Sequence, residues 1–131
     1  MKKELQNKLF EKWPILFRQK GLSMMETCMC WGIDCGDGWY DILLTLCELV
    51  DWHLEHNAAE GTTFEFSQIK EKYGTLTIYY EGGDEFIEGA VWMAERMSSK
   101  VCERCGKKGK RIGGGWVYTL CDDCTDKRLD L

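Results

Sequence analysis

Four cysteines near the C-terminus carry the strongest chemical signal in this 131-residue chain. Cys102-Glu103-Arg104-Cys105 and Cys121-Asp122-Asp123-Cys124 are two C-x2-C pairs with 15 residues between them. A two-residue spacer lets both sulfurs of a pair turn toward one point, and the separation of the pairs is at the lower edge of that expected for a four-thiolate zinc site. Zinc requires four donors in a tetrahedron at about 2.3 Å, and these residues supply all of them. With every position taken by a protein thiolate, none is left for an activated water. The expected role is therefore structural: one Zn2+ ion closing a 31-residue segment, 101–131, that is too short to build a core of its own.

The segment between the pairs supports a fold for this unit. Gly113-Gly114-Gly115 followed by Trp116-Val117-Tyr118-Thr119-Leu120 suits a turn and a strand, and the second pair leads into the helix-permissive Asp126-Lys127-Arg128-Leu129. Knuckle, hairpin and then ligands opening a helix is the order of a treble clef; a zinc ribbon is the alternative. The eight cysteines of the whole chain would read as disulfides in a secreted protein. Yet the N-terminal MKKELQNKLFEKW places Glu4, Lys8, Glu11 and Lys12 where a signal peptide needs an apolar run. The most apolar stretch, Ile42 to Val50, is interrupted by Thr45 and Glu48, far short of the roughly 18 residues of a membrane span. A cytoplasmic setting with reduced thiols, and no membrane, is expected.

Around the first pair lie Arg104, Lys107, Lys108, Lys110 and Arg111, with Trp116 following. These residues form a candidate binding surface for phosphate backbones or an acidic partner; their plainer role is to neutralise the thiolates. Packing of the hairpin on a helix would bury Trp116 and Tyr118. The charge distribution separates two regions. Residues 1–100 hold 10 Lys and Arg against 17 Asp and Glu, and residues 101–131 hold 7 against 5. An acidic body disfavours broad non-specific binding to nucleic acid or anionic lipid and is compatible with a basic protein partner.

Weaker constellations lie in the body. Cys28, Cys30 and Cys35 form C-x-C-x4-C, with Cys47, His53 and His56 farther on, a candidate second metal site. The simpler reading makes the thiols buried small residues and the histidines exposed at a polar helix end. A nuclease pattern can be assembled from Asp34 or Asp41 with Gln68 and Lys70, but a preceding acidic strand is missing. Glu65, Lys70, Glu71 and Lys72 read more simply as solvent-facing strand and turn charges. No catalytic His falls within 101–131, and no Gly-rich stretch has the strand and Lys context of a phosphate loop. The chain is not expected to be an enzyme.

The elements that must position these residues follow from periodicity. Leu5, Leu9 and Trp13 share a helix face that Pro14 ends, and Pro14 can open a short helix over Ile15 to Lys20, closed by Gly21. Residues 21–36 look irregular. From Asp37 as N-cap, Trp39, Leu43, Leu46, Cys47, Val50 and Leu54 recur at helical spacing to His56. The period then changes to two: Thr62, Phe64 and Phe66, then Leu76, Ile78 and Tyr80, form a hairpin joined through Glu71-Lys72-Tyr73-Gly74. A last helix carries Phe86, Ile87, Ala90, Trp92, Met93, Ala94 and Met97, with Asp84 and Glu85 at its start. The expected architecture is α+β: a body over 1–100, helices packed on a small antiparallel hairpin, and a C-terminal zinc unit over 101–131.

Three segments together resemble a known family. Cys35-Gly36-Asp37-Gly38-Trp39-Tyr40, Ile69-Lys70-Glu71-Lys72-Tyr73-Gly74-Thr75-Leu76 and the paired cysteines followed by Gly-Gly-Trp116 are similar to short proteins encoded by phages, prophages and bacterial genomes, over roughly residues 13–125. The resemblance implies a setting and no activity, and marks Asp37, Trp39, Lys70, Lys72 and Gly74 as residues of function or of the loop and hairpin. Cys28 and Cys30 lie outside the shared pattern. The resulting expectation is a small zinc-binding, phage-type accessory protein that binds a host macromolecule, such as a component of defence or transcription. A nucleic-acid-binding zinc module using the 104–111 cluster, and a protein sequestering a small molecule in its Trp-rich body, are the alternatives.

Overall fold

The structure, a computed structural model, describes residues 1–129. Helix α1 (Lys3–Lys12) presents Leu9 and Phe10 to the core and ends at Trp13, as the following Pro14 dictates. The expected helix over Ile15 to Lys20 is instead a run of turns closing in a 3-10 turn, Arg18–Gly21. The segment is too short to propagate an α-helix and is held by packing of Leu16 and Phe17. The region read as irregular holds a further 3-10 turn, Met29–Trp31, and a two-residue strand β1, Ile33–Asp34.

Helix α2 (Tyr40–His56) begins three residues later than Asp37, which sits instead in a 3-10 turn, Asp37–Trp39. Asp37 does not cap this helix. Its carboxylate accepts from the backbone N–H of Lys2 at 2.8 Å and faces the Lys2 ammonium at 3.7 Å, tying the N-terminal segment to the turn. Leu43, Leu46, Cys47 and Val50 form the buried stripe, as their spacing predicts.

Strands β2 (Phe64–Lys72) and β3 (Thr75–Gly82) pair antiparallel, and β1 adds to β2 in parallel, with Ile33 beside Ile69 and Asp34 beside Lys70. The small sheet is therefore mixed, not purely antiparallel. The connecting turn is only Tyr73-Gly74, both at positive φ (54° and 80°), the geometry of a two-residue primed hairpin turn. A bulge between Phe66 and Gln68 shifts the side-chain parity, so that Phe64, Phe66 and Ile69 all reach the core despite their uneven spacing. Helix α3 (Glu85–Ser98) is capped by Asp84, whose carboxylate accepts from the Ile87 N–H at 3.0 Å. It packs on β3 and α2 through Ile87, Val91 and Ala94 and leaves Phe86, Trp92, Met93 and Met97 exposed. The architecture is α+β, helices against a three-stranded sheet.

The C-terminal segment forms a second, smaller cluster. Strands β4 (Lys110–Ile112) and β5 (Tyr118–Leu120) pair antiparallel, and α4 (Asp122–Leu129) follows directly. Cys102, Leu120, Cys121 and Cys124 are its buried centre. The last two residues of the segment read as 101–131 lie outside the described residues. No helix among the described residues is long and apolar enough to cross a membrane.

Candidate metal centre

Cys102 and Cys105 lie on the turn that follows α3, Cys121 stands at the end of β5, and Cys124 is on the first turn of α4. Local hydrogen bonds hold this geometry. Cys102 N–H donates to the Lys107 carbonyl at 2.7 Å and Gly106 N–H to the Cys102 carbonyl at 2.9 Å, which curls the first pair back on itself. Gly106 has φ +81°, a conformation the tight turn requires and other residues adopt at a cost. In the second pair, Cys124 N–H points at Cys121 Sγ, 3.4 Å away.

All four sulfurs lie within 4.8 Å of one another, and none is disulfide-bonded. Cys105 Sγ and Cys121 Sγ are 3.6 Å apart, far beyond the S–S bond of about 2.05 Å but near the edge of about 3.8 Å of a tetrahedron with 2.3 Å metal–sulfur bonds. The donor set fits a tetrahedral thiophilic cation. The electrostatics agree: burial pushes the Cys102 thiol up, but the N–H groups of Cys121, Cys105 and Arg104 outweigh it together and bring it to about 7. Burial, together with the crowd of neighbouring thiols, drives Cys124 to about 12. Four sulfurs so close cannot all ionise without a cation among them, and one bound there holds them as thiolates.

The unit is fastened to the body on two sides. On one side, Trp39, fully buried, donates its indole N–H to the Val101 carbonyl at 2.8 Å, and Gly38 N–H donates to the Glu103 carbonyl at 2.7 Å. The Glu103 carboxylate accepts from Gly36 N–H at 2.9 Å, and its burial raises its pKa. On the other side, Thr119 Oγ1 donates to the Gly74 carbonyl at 2.6 Å and Arg111 donates to the Tyr73 carbonyl at 2.7 Å. A Cβ on Gly74 would meet Val117 and the Tyr118 backbone at 3.2–3.3 Å. Trp39 and Gly74 are thus joints between body and unit, as is Gly38. Glu103, Thr119 and Tyr73 were invisible to spacing arguments, because each finds its partner tens of residues away.

The basic cluster is divided. Lys107 and Lys110 face Asp123 and Asp122 on α4 at 3.9 and 3.4 Å, Arg111 turns to the hairpin tip, and Arg104 and Lys108 are exposed. Trp116 is not buried, as packing arguments suggest, but 69% exposed. It lines a cleft of about 420 Å3 with Glu71, Lys72, Tyr73, Gly115 and Val117. Trp116 follows the three-glycine loop, whereas Tyr118 packs against the four-cysteine cluster.

The weaker constellations come apart. Cys47 is in the main core, Cys35 is buried, Cys30 is half-buried and Cys28 is exposed, not a buried small residue. Apart from the four C-terminal cysteines, no group of three or more His, Cys, Asp or Glu could share an ion among the described residues. His53 is not exposed: at 3% exposure it bonds Asp84 through Nε2 (2.7 Å), meets Asn57 at Nδ1 (3.1 Å) and stacks on Phe86. His56 is the exposed one. Asp34 does stand beside Lys70, with Gln68 nearby, but a lone carboxylate makes no magnesium site, and Asp41 lies on α2. Glu65 is not a free surface charge, since Arg18 and Gln19 both donate to it. A separate apolar groove of about 390 Å3, between α2 and α3, is lined by Ile42, Leu46, Leu49, Ala90, Met93 and Met97.

Comparison of the chain with protein-family models, curated proteins and solved structures finds no match, so its function has to be argued from the metal centre and the surfaces around it.

Proposed function

We propose that the chain is a small zinc-binding accessory module, of the phage-type kind its motifs resemble, that works in the cytoplasm by binding a host macromolecule and not by catalysis. The observation that supports this is the cluster of Cys102, Cys105, Cys121 and Cys124, whose sulfurs lie within 4.8 Å of one another and are as many as a tetrahedral zinc site needs. A zinc ion there cross-links the turn after α3 to β5 and α4, holding in one arrangement a surface that the short segment could not otherwise maintain. Treble clef is the better description than ribbon, because the second pair opens a helix, α4, and does not sit on a second turn of strands. A component of host defence or transcription is the partner class that the phage-type resemblance suggests.

Native mass spectrometry and affinity capture test this reading. One zinc per chain is expected, together with a stoichiometric macromolecular partner retained from bacterial lysate by the native chain and lost with Cys121→Ser. A metal-free chain that keeps its fold, or a zinc-loaded chain that retains no partner, would overturn it.

A further inference from the structure

We propose that the cleft between the hairpin tip and the glycine loop is a single-strand nucleic-acid site, with bases stacking on Tyr73 and Trp116 and a phosphate held by Lys72. This rests on the reading above, because the cleft has two walls only while the C-terminal unit is folded against the hairpin. It adds a nucleic-acid contact, at a stated place on the surface, to the binding role proposed above.

The two aromatic side chains come from positions 73 and 116 and line one cleft, 72% and 69% exposed. The Tyr73 ring faces solvent with Lys72 Nζ 5.8 Å from its centre. Tyr73 occupies the first central position of a primed turn at φ +54°, where Asn, Asp or Gly sits at little cost and a bulky residue is strained. The fold thus holds an exposed aromatic ring in an unfavourable backbone conformation, a pattern found where strain serves a site. The tip is rigid: Gly74 N–H donates to the Glu71 carboxylate at 2.7 Å, and Thr119 and Arg111 grip the carbonyls of Gly74 and Tyr73. With Glu71 engaged by Gly74, Lys72 is the exposed cation that lines the cleft, while Arg111 is committed to the Tyr73 carbonyl. Aromatic faces beside cations are the sequence-tolerant platform for unpaired bases. The acidic body, at net charge −5 for the whole chain, opposes the dense phosphates of a duplex and favours a strand that touches only this stripe.

The test uses the zinc-loaded full chain and a fluorescein-labelled oligothymidylate of about a dozen nucleotides. Saturable anisotropy change with quenching of tryptophan emission is expected at low salt, weakening as salt rises. Trp116→Ala should weaken binding about tenfold, with Trp116→Phe retaining most of it. Tyr73→Asn relieves the backbone strain, so it should raise the melting temperature while weakening binding about tenfold, which separates loss of the site from loss of the fold. Lys72→Gln should flatten the dependence of log affinity on log salt by about 0.7. No binding at low salt, binding indifferent to Trp116→Ala and Tyr73→Asn, or capture of a proline-rich peptide in place of the oligonucleotide would overturn the proposal. If zinc is bound and the oligonucleotide is not, this inference fails alone; if zinc is not bound, the underlying reading fails with it.

Discussion

The backbone N–H of Gly38 donates to the carbonyl of Glu103 at 2.7 Å, so that the turn before α2 and the spacer of the first cysteine pair share a hydrogen bond. The approach is so close that a Cβ on Gly38 would collide with the backbone of Cys102 and Glu103. The four-cysteine unit is therefore not an appendage on a flexible tether; its first knuckle is packed into the body.

Gly38→Ala should destabilise the protein by about 2 kcal/mol or more, since backbone atoms on the far side cannot move aside as a flexible side chain would. Gly114→Ala is the control, for a Cβ there meets nothing within 4 Å. Urea denaturation of both variants checks this, and equal midpoints would show that the contact is slack.

Removing the metal should open the C-terminal unit and free its thiols. Cys28 is exposed in any state, whereas Cys35 is buried with its thiol pushed up to about 12 by that burial. Aromatic thiol reagent at neutral pH should therefore react slowly with the metal-loaded protein beyond Cys28 and Cys30, and chelation should release Cys102, Cys105, Cys121 and Cys124 together. Trp39 emission should shift as its bond to Val101 is lost, while α2 and α3 keep most of the far-ultraviolet helix signal. Unchanged thiol counts after chelation would contradict a metal role for the four.

Glu65 gives a dependence on pH. Hydrogen bonds from Arg18, then from Gln19, hold its carboxyl at about 2, below the ordinary value of 4.5. A carboxylate depressed on folding contributes stability at pH above about 4.5 that is lost as pH falls toward 2. Glu65→Gln should lower stability near neutral pH and flatten the acid limb over that window, read from unfolding midpoints between pH 6 and pH 2.5. Parallel acid limbs in the two proteins would assign the acid sensitivity elsewhere.

His53 joins the end of α2 to the start of α3 through Asp84, which also caps α3. Asp84→Ala removes both roles at once and should lower the urea unfolding midpoint. Asp84→Asn retains an acceptor for the Ile87 N–H and should cost less. Equal losses would mean that the cap contributes nothing separable from the imidazole bond.

What the sequence determined by itself is local. The C-x2-C spacing placed four thiols at one site, because two-residue spacers leave the sulfurs of a pair few other ways to point. Alternation at Phe64 and Phe66 and at Leu76 and Ile78, helical recurrence at Leu43, Leu46, Cys47 and Val50, and Pro14 as a stop are properties of neighbouring residues, and the elements follow them. Tertiary structure decided what depends on distant partners. His53 is buried because Asp84 and Phe86 arrive on another helix, and Ile69 faces inward only because of a bulge. Trp116, after the glycine loop, stays exposed and meets Tyr73 across a cleft. No spacing within either segment encodes that meeting, since it exists only once the C-terminal unit closes on the hairpin tip.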